Sequence, residues 1–212
     1  MNSNSHRIVA EDEWTIGGLA PELEAGFQRL PLEGRDVTMP VVLSERAKEV
    51  RQDAMGLIGK HVNLDDESST ALGISLQELL MNIALHGNGC KPYKWGRLVV
   101  CILETRDSAF LVLQAFDQGE TFDLEAVPDP TAAENLESVT GRGLMLMRRL
   151  GGFEIEPPVP AEEGGKVMKL FRRLKPNGND GLFQLEPLKS DSDEAEASVA
   201  GDAVAVPVAP VD

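Results

Sequence analysis

Residues 76–89 of this chain, LQELLMNIALHGNG, combine an apolar helical pattern with polar residues on one helix face. Apolar residues recur at helical spacing from residue 72 onward, which predicts the end of a long helix. Glu78 and Asn82 lie four residues apart and share a face, and His86 continues that line one turn later. Gly87 and Gly89 then end the helix. Such a face, taken alone, is more often a solvated edge than a binding site, so the rest of the chain decides its interpretation.

Composition limits the classes of protein to which the chain can belong. A length of 212 residues with 42% hydrophobic and 26% charged residues is typical of one globular domain with tails. The formal net charge of -15 argues against a nucleic-acid-binding surface, which needs clusters of Lys and Arg. The first residues lack the basic and apolar regions of a signal peptide, and no apolar run is long enough for a membrane span. Cys90 and Cys101 have neither zinc nor redox spacing. These features predict a cytoplasmic protein.

Three regions follow from the distribution of apolar and acidic residues. Residues 1–34 are predicted to be an extension with a short helix, in which Leu23, Phe27 and Leu30 lie on one face. Residues 35–175 carry the periodic apolar pattern of a folded domain. Residues 176–212 are acidic and poor in aromatic residues, which predicts a disordered tail.

Two strand-like runs, residues 97–103 and 109–116, come after the helix. The second, AFLVLQAF, is almost wholly apolar, as a central strand covered on one or both faces would be. It ends in Asp117-Gln118-Gly119. An acid at the end of a buried strand, followed by glycine, either closes a turn or faces a pocket.

A long acidic loop, residues 120–140, separates this strand from the next helix. Loops of this length inside a domain are usually functional or mobile. The loop stops at Gly141-Arg142-Gly143, where a helix begins. Glycines at a helix N-terminus let backbone N–H groups approach an anion, although an ordinary loop-to-helix turn gives the same pattern. Residues 153–156 and 166–174 are predicted to form a closing hairpin.

The order of these motifs resembles the GHKL ATPase fold of histidine kinases, gyrase B and heat-shock chaperones. ELLMNIALHGN, DQGETFD and GRGLMLMRRL carry the resemblance, which covers about residues 36–174. The chain is most similar to the compact branch of anti-sigma factors that act as serine/threonine protein kinases. The resemblance implies an α/β (α+β) fold, namely a two-layer sandwich of a mixed, mostly antiparallel sheet covered by helices, the Bergerat ATP-binding fold.

The resemblance also implies roles for the polar residues that precede the loop. Asn82 would coordinate Mg²⁺, a hard cation that accepts an amide oxygen beside phosphate and water oxygens. Glu78, one turn earlier, would polarise the attacking hydroxyl or water. Asp117 would accept a hydrogen bond from the exocyclic amine of adenine, and Gly119 would let the purine lie close to the backbone.

The phosphates of ATP would be held at the start of the last helix, again by resemblance. Gly141, Gly143 and the following N–H groups, including that of Leu144, would contact them, with Arg142 as the nearest guanidinium. Residues 120–140 would form the lid over the nucleotide.

The sequence departs from the family pattern at two points. Thr121 stands where the family has the second glycine of its D-x-G-x-G box, and a β-branched residue with a positive φ would cost about 1–3 kcal/mol of strain. The lid carries no Lys or Arg, and its acids oppose a triphosphate, although exposed charges are screened by salt. These acids include Asp123, Glu125, Asp129, Glu134 and Glu137.

Two functional hypotheses from different classes follow. The first is an anti-sigma regulatory factor that uses ATP and Mg²⁺ to phosphorylate a serine or threonine of a STAS-domain anti-sigma factor antagonist. It would control a sigma factor by partner switching and would form a homodimer, as family members commonly do. The second is a non-catalytic binding module that keeps the fold and sequesters a sigma factor or STAS partner. The Glu78/Asn82 pair favours the kinase, whereas Thr121 and the acidic lid favour the binding module.

Overall fold

A computed structural model describes residues 6–18, 27–32, 35–132, 135, 141–177 and 182–188. The α-helices in these ranges are α1 (Val41–Gly59), α2 (Asp66–Met81) and α3 (Arg142–Arg149), and a π-helical turn, Asn82–Gly87, directly follows α2. The strands are β1 (Arg7–Gly17), β2 (Phe27–Leu32), β3 (Arg35–Pro40), β4 (Val62–Asn63), β5 (Trp95–Glu104), β6 (Ala109–Asp117), β7 (Glu154–Ile155), β8 (Val159–Pro160), β9 (Lys166–Pro176) and β10 (Phe183–Leu185).

One sheet organises most of these strands. Its order is β1-β5-β6-β9-β10-β4, and the short strands β7 and β8 pair with β9. All pairs in it are antiparallel except β10–β4, which is parallel. Strands β2 and β3 form a separate antiparallel pair. The predicted α+β sandwich with a mixed, mostly antiparallel sheet is therefore confirmed.

The core lies between the helices and one face of the sheet. Helix α1 buries one residue every three or four positions, as an amphipathic helix does: Leu43, Ala47, Val50, Ala54 and Ile58. Alternate residues of β5 point to the same core, and Leu98, Val100 and Ile102 are fully buried there. The residues between them face the other side of the sheet.

The opposite face of the sheet is also apolar. Cys101, Leu103, Phe110, Val112 and Phe171 form a second buried cluster there. The apolar run of β6 was predicted to be a central strand covered on one or both faces, and both of its faces are buried. Burial, together with the nearby carboxylate of Glu11, raises the pKa of the Cys101 thiol to about 11.

Helix α2 is anchored at its start by a side-chain cap. The Ser68 N–H donates to Asp65 Oδ1 over 2.7 Å, which satisfies one of the free N–H groups of the first turn and lowers the pKa of Asp65. This cap fixes the beginning of the helix whose other end carries the predicted polar face. A helix with the length and apolar character of a membrane span does not occur within the described ranges.

The N-terminal region differs from its prediction. Residues 7–17, placed in an extension by the sequence, form β1 and pair along β5. Phe27 and Leu30 lie in β2, so the predicted helix is wrong at these positions, and Leu23 lies outside the described residues. Pairing with β3 satisfies the backbone of β2, and such non-local pairing cannot be read from the spacing of three apolar residues.

The predicted tail also contributes to the sheet. Strand β10 lies within residues 176–212, where disorder was predicted, and it joins β9 to β4. Phe183 is only 5% exposed and packs into the main core. The prediction of disorder is therefore wrong for residues 183–185. The buried side chain of Phe183 and the pairing of β10 with both β9 and β4 order a segment of low hydrophobicity. Residues 189–212 lie outside the described residues.

Replacing Phe183 with Ala tests the assignment of β10 to the fold. The substitution should lower the free energy of unfolding by about 3 kcal/mol, because it leaves a cavity between β10 and the core. Urea denaturation measures the change. Leu188→Ala is the control, because Leu188 lies three residues after β10 and is 48% exposed, and it should change stability by no more than about 0.5 kcal/mol. Equal, small effects would mean that β10 does not stabilise the domain.

Candidate functional site

Four elements carry most of the predicted site residues. They are the end of α2 with its π-helical turn, the end of β6, the start of β9 and the start of α3. Strands β6 and β9 are antiparallel, so the last residue of β6 lies opposite the first residue of β9.

Glu78 lies against the first turn of α3. It is only 3% exposed, and a Glu buried to this extent is usually paired. A Cβ placed on Gly143 would lie 2.5 Å from Glu78 Oε2, so only glycine lets this backbone approach the carboxylate. Two residues predicted independently, on different helices, are therefore neighbours.

Asn82 stands at the point where α2 changes into the π-helical turn. Its backbone N–H still bonds to the carbonyls of Glu78 and Leu79. Its half-buried side chain makes no hydrogen bond to any residue in the described part of the chain. The amide oxygen is thus available to an external ligand, one turn from Glu78.

His86 lies in the π-helical turn that follows α2. Turns of this type are rare and occur frequently at functional sites. Here the Asn88 N–H bonds to the carbonyl of Ile83, five residues earlier. The side chain of His86 is exposed, in contrast to the buried Glu78.

Asp117 forms a buried ion pair that the sequence did not predict. Lys166 Nζ lies 2.6 Å from Asp117 Oδ1, and the residues are 5% and 4% exposed respectively. The Gly119 N–H donates to the same oxygen over 2.8 Å. Asp117 therefore closes a turn with Gly119 and also pairs with the ammonium group of Lys166. The sequence had left open whether Asp117 closes a turn or faces a pocket.

Glycines surround the Asp117 carboxylate. A Cβ on Gly87 would lie 2.1 Å from Asp117 Cγ, and one on Gly165 would lie 2.0 Å from the Asp117 carbonyl oxygen. A Cβ on Gly119 would lie 2.8 Å from Lys166 Nζ. Gly119, predicted to make room for a purine, thus packs against the ion pair.

Asn88 is a further site residue that sequence reasoning missed. It is almost fully buried and accepts a hydrogen bond from the Gln118 N–H over 3.2 Å, while its amide donates to the Lys94 carbonyl. These bonds tie the end of the π-helical turn to the end of β6. In the sequence, Asn88 is marked only by its position between Gly87 and Gly89. Many ordinary turns have this pattern, so it does not indicate a site residue.

Helix α3 begins at the predicted Gly141-Arg142-Gly143 turn. Gly141 has a φ of 85°, a conformation that favours glycine, and it precedes the first helical residue. The Met145 N–H makes a helical bond to the Gly141 carbonyl. The N–H groups of Arg142, Gly143 and Leu144 precede that bond and point out of the helix end, as first-turn donors do. The side chain of Leu144 packs at the edge of the core.

The loop before α3 lacks the strain expected at Thr121. Among the described residues, Cys90 is the sole non-glycine residue with a positive φ, and Thr121 is exposed. The family's glycine is therefore replaced here without backbone cost. The strain was predicted for a positive φ at this position, and that condition is not met.

The described part of the loop remains acidic where it approaches α3. The Thr131 hydroxyl and N–H both donate to Asp129 Oδ1, and these bonds lower the pKa of Asp129, so it stays ionised at neutral pH. A Cβ on Gly141 would lie 2.7 Å from the Pro128 carbonyl oxygen, so the loop packs on the helix start. Asp123 and Glu125 are exposed, while Glu134 and Glu137 lie outside the described residues.

The residues present fit Mg²⁺ in the way that nucleotide sites use it. The described ranges contain no cluster of three or more His, Cys, Asp or Glu residues that could hold a metal alone. Mg²⁺ in nucleotide sites takes one or two protein oxygens and completes its shell with phosphate and water. The side-chain amide of Asn82, which makes no hydrogen bond to the described residues, would supply one such oxygen.

One comparison with known proteins identifies a family. The family model described as histidine kinase-like ATPase domain matches residues 42–151, which is 110 of the 212 residues. The match includes Glu78, Asn82, Asp117 and the Gly141–Gly143 turn, and it ends before Lys166. A search of curated proteins found no match.

Replacing Gly87 with Ala tests the glycine contact with Asp117. The added methyl group would overlap the carboxylate, so the free energy of unfolding should fall by about 1–3 kcal/mol. Gly73→Ala is the control, because Gly73 is also helical and a Cβ there meets no atom within 4 Å. That change should stabilise the protein by up to about 1 kcal/mol. Thermal unfolding measures both, and two equal shifts would contradict the packing described here.

Proposed function

Because the chain belongs to the family of histidine kinase-like ATPase domains, we propose that it is an ATP-dependent serine/threonine protein kinase of the anti-sigma type. The observation that carries this proposal is the contact between Glu78 and the first turn of α3. It places a buried carboxylate beside the N–H groups that would hold the phosphates, and Asn82 lies one helical turn away.

In the proposed reaction, the hydroxyl of a protein serine or threonine attacks the γ-phosphorus of ATP. Glu78 accepts the hydroxyl proton, the new P–O bond forms, and ADP leaves with the electron pair of the broken bond. The N–H groups at the start of α3 bind phosphate oxygens, and the helix dipole favours the negative charge there. Mg²⁺, held through the Asn82 amide oxygen, would neutralise phosphate charge.

The proposed substrate is a STAS-domain anti-sigma factor antagonist. Phosphorylation would weaken its binding to this chain, which would then sequester a sigma factor. Partner switching of this kind is a competition between two binding equilibria that a phosphate biases. The resemblance to anti-sigma kinases supports these partners, and it also favours a homodimer.

A non-catalytic binding module is the second candidate function. Two observations favour it: Lys166 already neutralises Asp117, and the described lid residues Asp123, Glu125 and Asp129 oppose a triphosphate. Such a module would bind the sigma factor or STAS partner through the same fold without turning over ATP.

Replacing Asn82 with Ala tests the nucleotide site. Its side chain makes no hydrogen bond within the described ranges, so the protein should keep its stability and lose a metal ligand. Calorimetric titration with ATP and Mg²⁺ should show affinity at least about tenfold weaker, or about 1.4 kcal/mol. Gln77→Ala, on the same helix, is the control and should bind as the wild type does. Unchanged affinity in Asn82→Ala would contradict the assignment.

Replacing Glu78 with Gln separates the kinase from the binding module. The kinase should lose about 10²–10⁴-fold in phosphate transfer from radiolabelled ATP to a STAS-domain protein of the same genome, because the amide cannot accept the proton. Its ATP affinity and its complex with the partner should persist. Transfer at the wild-type rate would contradict the catalytic role, and partner binding with no transfer by the wild type would favour the module.

A further inference from the structure

Lys166 stands out because the proposed reaction assigns it no role, and it lies outside the residues matched by the family model. It is the first residue of β9 and lies directly opposite Asp117. A lysine is rarely this buried unless it is paired, and burying two charges costs free energy that their attraction only partly returns. The pair therefore calls for a function beyond stability.

The hydrogen bonds of the pair leave one acceptor and several donors unused. Asp117 Oδ1 accepts from both Lys166 Nζ and the Gly119 N–H. Among the described residues, Asp117 Oδ2 has no hydrogen-bond partner, and Lys166 uses one of its three N–H donors. An acceptor oxygen and an ammonium donor thus stand side by side.

The backbone of two glycines lies close to this pair. Gly87 and Gly119 each lie so near the ion pair that a Cβ would overlap it. No side chain from these two positions covers the carboxylate or the ammonium group. These glycines therefore place only backbone against the pair, which is 4–5% exposed.

An acceptor beside a donor complements the Watson–Crick edge of adenine. That edge presents one donor, the exocyclic amine N6, next to one acceptor, the ring nitrogen N1. Guanine presents two donors, N1–H and the N2 amine, next to the acceptor O6. With Oδ1 already occupied, the single free oxygen of Asp117 satisfies the one donor of adenine and would leave a donor of guanine unpaired, which is costly in a buried site.

We infer that Lys166 is a specificity-determining residue that donates a hydrogen bond to adenine N1, while Asp117 Oδ2 accepts one from adenine N6. The inference rests on the proposed function, because it needs the base of ATP to bind at this end of the sheet. It assigns the base contact to a side-chain pair rather than to Asp117 alone.

Single-atom changes in the nucleotide test the inference. Calorimetric titrations would compare ATP, 1-deaza-ATP, in which a C–H replaces N1, and GTP, each with Mg²⁺. The wild type should bind 1-deaza-ATP and GTP at least about tenfold more weakly than ATP. Lys166→Met, which keeps the length of the chain and removes the donor, should bind ATP and 1-deaza-ATP with affinities within about twofold of each other. Lys169→Met, on the same strand, should keep the wild-type preference.

Each outcome has one interpretation. Equal binding of ATP and 1-deaza-ATP by the wild type would overturn the role of Lys166 and leave the proposed ATP site intact, and this comparison needs no variant to fold. A preference for ATP over 1-deaza-ATP that survives in Lys166→Met would also overturn it, since another group would then contact N1. GTP binding as tight as ATP binding would overturn the adenine assignment. Absence of binding by all three nucleotides would refute the proposed function and the inference together.

Discussion

The buried ion pair between Asp117 and Lys166 fixes the end of the sheet at which the site is assembled. It joins the last residue of β6 to the first residue of β9, which lie opposite each other in the register of these two strands. Removing one partner of such a pair leaves a buried charge and typically costs about 3–5 kcal/mol. Gly87 and Gly119 pack directly on the pair, and the π-helical turn that contains Gly87 is held there. The pair therefore contacts the turn that directly follows the polar face of α2.

The chemistry of the site follows from how closely helices can approach. Gly143 lets the backbone of α3 reach Glu78, and the Asn82 side chain, at the change from α- to π-helix, makes no hydrogen bond to the described residues. An amide without a protein partner is a local departure from full hydrogen bonding. Local consistency is often given up at functional sites in this way, and here it leaves a carboxylate, an amide and three N–H groups facing one region.

Much of this arrangement could be predicted from the sequence, because it depends on local patterns. Helical spacing placed Glu78 and Asn82 on one face, and the apolar run of β6 identified a central strand. Long-range strand pairing could not be predicted. Strands β1 and β10 form because partners distant in sequence satisfy their backbone hydrogen bonds. The local composition of a segment does not indicate which distant strand it will pair with. Lys166 was missed for the same reason, since one of several basic residues in β9 gives no sign that it will lie opposite Asp117.

The central claim is that one nucleotide spans the site from the Asp117–Lys166 pair to the first turn of α3. Backbone amide NMR of the uniformly ¹⁵N-labelled protein, titrated with ATP and Mg²⁺ to millimolar concentration, tests it most directly. The account predicts saturable shifts at both ends, at Gly119 and Lys166 for the base and at Gly143 and Leu144 for the phosphates. Shifts confined to one end, or saturable shifts only on the outer face of the sheet around Val112, would contradict it.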